Sequence, residues 1–182
     1  MPTNTALVDP WRSFFSDIDA SLAAEVVLHC LGGFVMTMLY GSERLTADVD
    51  VLPITSDPAS KNLLHLAGQG STLHKKHKIY LQVVGVATVP DNYEARLTEM
   101  FAGTFTHLRL VALDPYDLAL SKLERNAPRD REDFKYLARM IPLNLNILQE
   151  RYREELRPYL GNPRREDLTL KLWIEMAQEP IK

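Results

Sequence analysis

The stretch that decides the fold runs from Leu28 to Val51 and reads LHCLGGFVMTMLYGSERLTADVDV. A short apolar run over residues 25–31 ends at Gly32-Gly33, which predicts a strand followed by a turn. The apolar residues from Phe34 to Tyr40 then predict a helix. From Asp48 onward carboxylates alternate with valines, which is the period of a strand that ends near Pro53. The stretch therefore predicts strand, glycine turn, helix and strand.

The two carboxylates in this stretch predict a metal site. Residues i and i+2 of a strand project from the same face, so Asp48 and Asp50 lie side by side. Close carboxylates repel each other unless cations neutralise them, and Mg²⁺ (or Mn²⁺) favours carboxylate and phosphate oxygens. Gly32-Gly33 lets the backbone approach a ligand, and amides at a helix start favour phosphates. We expect a metal-bound triphosphate between the glycine turn and the carboxylates.

The remaining periodicity predicts an α+β fold with a mixed β-sheet core over residues 1–113. A helical C-terminal third, residues 114–182, is expected to pack on that core. Asp9-Pro10 precedes apolar residues at helical spacing, which predicts an N-terminal helix. The other predicted elements are a helix over 57–67, one or two strands over 78–89, two strand-like runs over 100–113, and helices at about 115–125, 130–140, 144–159 and 166–178.

Composition predicts an intracellular, cytoplasmic protein. The 182 residues are 46% hydrophobic, enough for one sizeable core. The single cysteine, Cys30, cannot form an internal disulfide, and no secretory signal pattern opens the chain. The apolar run from Leu22 to Tyr40 is not expected to span a membrane, because Glu25 and His29 interrupt it and Gly32-Gly33 divides it.

The net charge indicates that any nucleic-acid partner must bind to a local basic patch. The formal net charge of -3 argues against bulk non-specific binding to nucleic acid. One basic run, His74 to Lys78, fits two interpretations: a grip on an RNA backbone, or a solvated basic end of a helix.

The deciding stretch resembles the DNA polymerase β-like nucleotidyltransferase superfamily, in which a strand ending in Gly-Gly or Gly-Ser is followed by a helix and by Asp-x-Asp on the next strand. Within it, the stretch is similar to the branch that contains AbiEii-type toxins, which often have Arg-x-Thr or Arg-x-Ser before the carboxylates. Arg44 and Thr46 match that pattern. The resemblance implies metal ligation by Asp48 and Asp50. It also implies nucleotide binding by Gly32, Gly33, Ser42, Arg44, Thr46 and Lys122.

A second block resembles later motifs of the same group: an Asp-x-x-x-x-Lys helix from Asp117 to Lys122, then Arg-Asp-x-x-Asp ending at Asp133. The resemblance implies that Lys122 meets the nucleotide phosphates, with Asp117 and Asp133 as supporting catalytic residues. The alternative for the acids is helix capping, because Asp114-Pro115 and the spacing of Asp117 are typical of a helix start.

One departure from the superfamily concerns a third acid on a later strand. Its counterpart here is Gln82, whose neutral amide can neither bridge metals as an anion nor act as a general base. Three explanations stay open: a different strand register, another acid such as Asp91 or Glu94, or reduced catalysis.

The resemblance implies a magnesium-dependent enzyme that moves a nucleotidyl group from a nucleoside triphosphate to a hydroxyl on RNA, such as tRNA, or on a protein. It also suggests the toxin of a bacterial toxin-antitoxin system, with a cognate antitoxin protein as partner. The alternatives are a catalytically weak or inactive nucleotide- or RNA-binding module of the same fold, and an interaction protein whose Asp pair is only surface.

Overall fold

A computed structural model describes residues 7–53, 58–85 and 88–179. The chain forms two compact units. The first unit comprises Met1–Gly85 and Leu97–Ala112, and the second comprises Val86–Arg96 and Leu113–Lys182. The α+β fold class is confirmed: the first unit carries a mixed sheet, and the C-terminal third is helical. The division of the chain into a core over residues 1–113 and a C-terminal region over residues 114–182 that packs on it stays a prediction.

The described part of the first unit contains a five-stranded sheet in the order β3-β2-β1-β5-β4. The strands are β1 (Val26–Leu31), β2 (Asp48–Val51), β3 (Tyr80–Val83), β4 (Thr98–Met100) and β5 (Leu108–Ala112). β1 is central and pairs antiparallel with β2 and parallel with β5. β2 pairs parallel with β3, and β4 pairs antiparallel with β5. Of the one or two strands predicted over 78–89, the described residues form one, β3, and residues 86 and 87 lie outside the described part of the chain.

The described part of the first unit also contains four helices. They are α1 (Trp11–Ser21), α2 (Gly32–Tyr40), α3 (Pro58–Ala67) and α4 (Thr72–His77). α1 buries Phe14, Phe15 and Ile18 completely, as its helical spacing predicts. Asp9 accepts hydrogen bonds from the backbone N–H and the hydroxyl of Ser13. This contact anchors the start of α1, which begins at Trp11.

The apolar run from Leu22 to Tyr40 forms β1 and α2, as its glycine pair predicts. Within the residues that the structure describes, no helix is both long enough and apolar enough to cross a membrane.

The second unit is helical. Its helices in the described residues are α5 (Pro115–Leu120), α6 (Pro128–Met140), α7 (Leu145–Arg151) and α8 (Pro163–Gln178), with a 3₁₀ turn at Tyr93–Arg96. The helix predicted over 144–159 does not stay α-helical throughout. α7 gives way to a π-helical segment, Tyr152–Leu156, and a 3₁₀ turn, Arg157–Tyr159. Pro158 has no N–H to continue an α-helical ladder, which explains the change near its end.

The helix predicted over 115–125 ends at Leu120. Lys122 and Leu123 instead donate backbone hydrogen bonds three residues back, to Ala119 and Leu120, in tight turns. Asn126 has a positive φ of 45°. The next residue, Ala127, is extended because it precedes Pro128 at the start of α6. The chain therefore cannot run as one helix from α5 into α6.

Candidate active site

Asp48 and Asp50 lie on the open face of β2. Val49 and Val51, between and after them, are fully buried, whereas both aspartates are only partly buried. Asp50 pairs with Leu31, the last residue of β1, so it lies next to the glycine turn that follows Leu31. The strand period thus separates a core face from a carboxylate face.

The carboxylate of Asp50 packs directly against Gly32. Gly32 begins α2 with a φ of +72°, in the left-handed region that favours glycine. A Cβ built at this position would lie 2.8 Å from Asp50 Cγ and closer still to Oδ2. Both the backbone conformation and the available space therefore require glycine here.

Arg44 and Thr46 lie against the second glycine. A Cβ built on Gly33 would lie 3.2 Å from Arg44 Nη2 and 3.2 Å from Thr46 Oγ1. The Thr46 hydroxyl donates a hydrogen bond to the carboxylate of Asp48. The structure therefore brings together six of the residues singled out from the sequence: Gly32, Gly33, Arg44, Thr46, Asp48 and Asp50.

The loop between α2 and β2 explains how Arg44 and Thr46 return to the glycines. Thr37 Oγ1, on α2, donates to the carbonyl oxygen of Arg44 at 3.0 Å. Gly41, with φ +69°, ends α2, and the Ser42 N–H donates to Met36 O at 3.1 Å. A nine-residue helix is about 13 Å long. Ser42 therefore lies at the opposite end of α2 from Gly32, and its part in nucleotide binding stays a prediction.

Gln82 lies beside Asp50. β2 and β3 run parallel with Asp48 opposite Tyr80 and Asp50 opposite Gln82, so these four side chains share one face of the sheet. Gln82 is exposed. The register puts Gln82, the residue that the resemblance aligns with a third acid, next to Asp50, and its amide is neutral. Among the residues that the structure describes, no group of three or more His, Cys, Asp or Glu could hold a metal ion.

The two other acids considered for this role, Asp91 and Glu94, belong to the second unit. The Asp91 N–H donates to Glu155 O at 2.9 Å, and the charge of Asp91 raises the pKa of Tyr159, to which it is hydrogen-bonded. The Tyr93 hydroxyl lies 3.4 Å from Glu94 Oε1. Both acids thus have contacts within their own unit.

The negative charges of Asp48 and Asp50 contribute to raised pKa values of two neighbouring residues. Burial, and then the charges of Asp48 and Asp50, raises the pKa of the Tyr80 hydroxyl. Burial, and then the charge of Asp50, raises the pKa of the Cys30 thiol. Cys30 is fully buried, and a neutral thiol there serves packing.

Lys122 is buried in the second unit, with only 4% of its surface exposed. Its Nζ donates to Asp133 Oδ2 at 2.8 Å and lies 3.9 Å from Asp130 Oδ1. Asp130, also buried, accepts from Arg125 Nε at 2.9 Å and from the Ala127 N–H at 2.9 Å. The charged residues of the second sequence block therefore bind one another: Lys122 contacts the aspartates that follow eight and eleven residues later.

The carboxylate of Asp117 binds two arginines, and the residue that caps α5 is Asp114. Its buried carboxylate accepts from Arg96 Nε at 2.8 Å and from Arg151 Nη1 at 3.0 Å. Burial raises the pKa of Asp117, and the hydrogen bond from Arg96 opposes that shift. Arg96 also binds Glu155, while Asp114 caps α5 through the Asp117 N–H at 2.8 Å. Sequence analysis did not find Arg96, Arg151 or Glu155, because no local pattern links them to Asp117.

The donor set of the first unit fits a hard divalent cation. Asp48 and Asp50 offer carboxylate oxygens on one open face, and because Gly32 has no side chain the Asp50 carboxylate packs against the glycine turn. The same glycine turn forms the N-terminus of α2, where backbone N–H groups and the helix dipole favour anions. The carboxylates suit a cation, and the backbone amides beside them suit an anion such as phosphate.

No curated protein and no solved structure matched the chain. A family model described as "Nucleotidyltransferase of unknown function (DUF6036)" matches residues 15–179, which include the glycine turn, both carboxylates and the second sequence block. The chain belongs to this nucleotidyltransferase family.

Proposed function

We propose that the chain transfers a nucleotidyl group from a nucleoside triphosphate to a hydroxyl of an RNA, such as tRNA, or of a protein, with Mg²⁺ or Mn²⁺ held by Asp48 and Asp50. The observation that carries the proposal is the packing of the Asp50 carboxylate against Gly32 at the start of α2. It puts the anionic ligands for a cation within reach of the amides that favour phosphate.

Asp48 and Asp50 would hold the metal, which when bound neutralises phosphate charge and polarises the phosphoryl group. The Thr46 hydroxyl orients the Asp48 carboxylate by donating to it. A ligating carboxylate that is itself hydrogen-bonded loses less freedom when it binds a cation.

The glycine turn and Arg44 would hold the triphosphate. Gly33 has no side chain to keep the phosphates from the backbone, and the Arg44 guanidinium lies beside it. A guanidinium can donate two parallel hydrogen bonds to phosphate oxygens.

In the proposed reaction the acceptor oxygen forms a bond to the α-phosphorus. The bond from that phosphorus to the β-phosphate bridging oxygen breaks, and pyrophosphate leaves with the bonding electron pair. The proton of the acceptor hydroxyl passes to solvent water, because the amide of Gln82 cannot take it.

We also propose supporting roles in the second unit, on the basis of the sequence resemblance. Lys122 would contribute a positive charge to the phosphates through ammonium donors not used by Asp133. Asp133 would orient Lys122, and Asp117 would orient Arg96 and Arg151.

A role as the toxin of a bacterial toxin-antitoxin system rests on the similarity to AbiEii-type toxins at Arg44 and Thr46. It would require an antitoxin protein that restrains the chain. Growth arrest on expression, relieved by Asp48→Asn, would support this role.

A second candidate function is nucleotide or RNA binding with little catalysis. The register of Gln82 beside Asp50 favours it, since the position of the third acid holds no anion. Binding of triphosphate without a product distinguishes this candidate from the enzyme.

The test is a transfer assay with each α-³²P-labelled nucleoside triphosphate, Mg²⁺, and total RNA or total protein as acceptor. We expect covalent label on one acceptor class with Mg²⁺ and none after addition of EDTA. Magnesium-dependent binding without label transfer would favour the second candidate, and the absence of both would refute the proposed site.

A further inference from the structure

Three neighbouring features cross the sheet in order at the candidate site. Gly32 follows β1, Asp48 and Asp50 lie on β2, and Tyr80 and Gln82 lie on β3. Adjacent strands are about 4.8 Å apart. Tyr80 therefore flanks the carboxylates on the side opposite the glycine turn.

The ring of Tyr80 is braced by a histidine. The rings of His74 and Tyr80 meet edge to face, with centroids 4.9 Å apart and planes at 64°. His74 is itself fixed, because its Nδ1 accepts a hydrogen bond from the Gly70 N–H at 2.8 Å. Tyr80 remains partly exposed on the face that carries the aspartates.

The structure divides the basic run on α4 into two parts. His77 is committed to α1, since it contacts Asp17 at 2.6 Å and the ring of Phe14. Lys76 also binds Asp17. Lys75 and Lys78 are exposed on either side of them, in the segment that leads into Tyr80.

The geometry of the proposed reaction predicts that the acceptor lies on the β3 side of the carboxylates. In an in-line displacement the attacking oxygen and the leaving group lie on opposite sides of the phosphorus. If the triphosphate lies on the glycine turn, the acceptor approaches from β3. A partly exposed aromatic ring that follows exposed lysines in the chain is suited to a single-stranded nucleic acid, which proteins hold by base stacking and phosphate contacts.

We propose that Tyr80, braced by His74, stacks on the terminal base of a single-stranded RNA acceptor and so positions its hydroxyl beside Asp48 and Asp50. This inference rests on the proposed function, and it names the acceptor as nucleic acid rather than protein. Tyr80 is a substrate-positioning residue, and Lys75 and Lys78 contact the acceptor phosphates.

The test measures binding of a 5′-fluorescein-labelled 12-nucleotide single-stranded RNA by anisotropy, with Mg²⁺ and without triphosphate, so that no transfer occurs. Tyr80→Leu should weaken binding about tenfold, because it removes the stacking ring. Tyr80→Phe should restore most of the affinity, since the ring is retained. Tyr40→Leu is the matched control, because Tyr40 ends α2 about 12 Å from Gly32 and the same change there should leave RNA binding intact.

A second measurement keeps the test valid if Tyr80→Leu fails to fold. In Tyr80→Trp the added indole should be quenched by the RNA, beyond any change in wild-type protein, which contains Trp11 and Trp173. Equal RNA affinity of wild type, Tyr80→Leu and Tyr80→Phe, no RNA binding by wild type, or no added quenching would overturn the inference. Weaker triphosphate binding by Tyr80→Leu with unchanged RNA binding would overturn it too, by putting the ring on the nucleotide side.

Failure of the proposed function would look different. Wild type would then transfer no label from any triphosphate in the presence of Mg²⁺, whatever its affinity for RNA.

Discussion

The carboxylate of Asp50 fills the space that a side chain at residue 32 would need. A Cβ on Gly32 would lie 2.8 Å from Asp50 Cγ, and the φ of +72° at Gly32 already disfavours any other residue. Asp50, the proposed metal ligand, and Gly32, which belongs to the turn proposed to hold the phosphates, are therefore in direct contact, so a change in one alters the other.

Gly32→Ala should abolish magnesium-dependent triphosphate binding and destabilise the fold. The left-handed φ alone costs about 1–2 kcal/mol for a residue with a Cβ, and the methyl group must also displace Asp50. Gly70→Ala is the matched control, because Gly70 has φ +82° and no atom within 4 Å of a built Cβ. Urea unfolding and calorimetric titration should show a stability loss in both variants but loss of binding only in Gly32→Ala. Equal binding by the two variants would contradict the contact described here.

Thr46→Val should lower magnesium affinity without unfolding the protein. It keeps the shape of the side chain but removes the hydroxyl that donates to Asp48. Loss of such a supporting contact typically lowers metal affinity or activity about 10- to 100-fold. Thr46→Ser should restore most of the affinity because it retains the hydroxyl. If Thr46→Val titrates with Mg²⁺ like wild type, Thr46 does not orient a metal ligand.

Gln82→Asp should reveal whether the site has lost an acid. If no other acid serves, a carboxylate opposite Asp50 strengthens magnesium binding and raises the transfer rate. Gln82→Asn is the control for side-chain length without charge. Weaker metal binding or slower transfer in Gln82→Asp alone would mean that an added anion only adds repulsion, and that the native site is complete with Gln82.

Asp117→Asn should destabilise the second unit. It removes the buried charge that binds Arg96 and Arg151, and breaking a buried ion-pair network costs about 3 kcal/mol. Glu99→Gln, which breaks the exposed pair with Arg109, should change stability much less. Chemical denaturation of both variants makes the comparison. An Asp117→Asn protein with native stability but no transfer would instead favour a catalytic role.

Local patterns predict the centre of the first unit well. The alternation of Asp48, Val49, Asp50 and Val51 predicts a two-faced strand, and the burial of both valines matches it. These features depend on neighbours along the chain, and the strand period transmits them directly to the structure.

Features built from distant residues could not be predicted in this way. Arg96 binds Asp117 and Glu155, which are 21 and 59 residues away in sequence. The contact between His74 and Tyr80 depends on how α4 turns into β3. The predicted helix lengths are wrong where the backbone hydrogen-bonding pattern changes from α-helical to another type, as after Leu120 and at Tyr152–Leu156. Periodicity predicts which face of a helix is apolar, but it does not predict where α-helical hydrogen bonding ends or changes to another type.

The most direct test of the central claim is nucleotidyl transfer by the Asp48→Asn, Asp50→Asn double variant, measured beside wild type with labelled triphosphate, Mg²⁺ and RNA. Asparagine keeps nearly the same shape but removes both anions that attract magnesium. We predict that wild type labels the RNA and the double variant does not. The double variant should also be equally or more stable in the absence of metal, because repulsion between the carboxylates is relieved. Transfer that persists unchanged in the double variant would contradict the account.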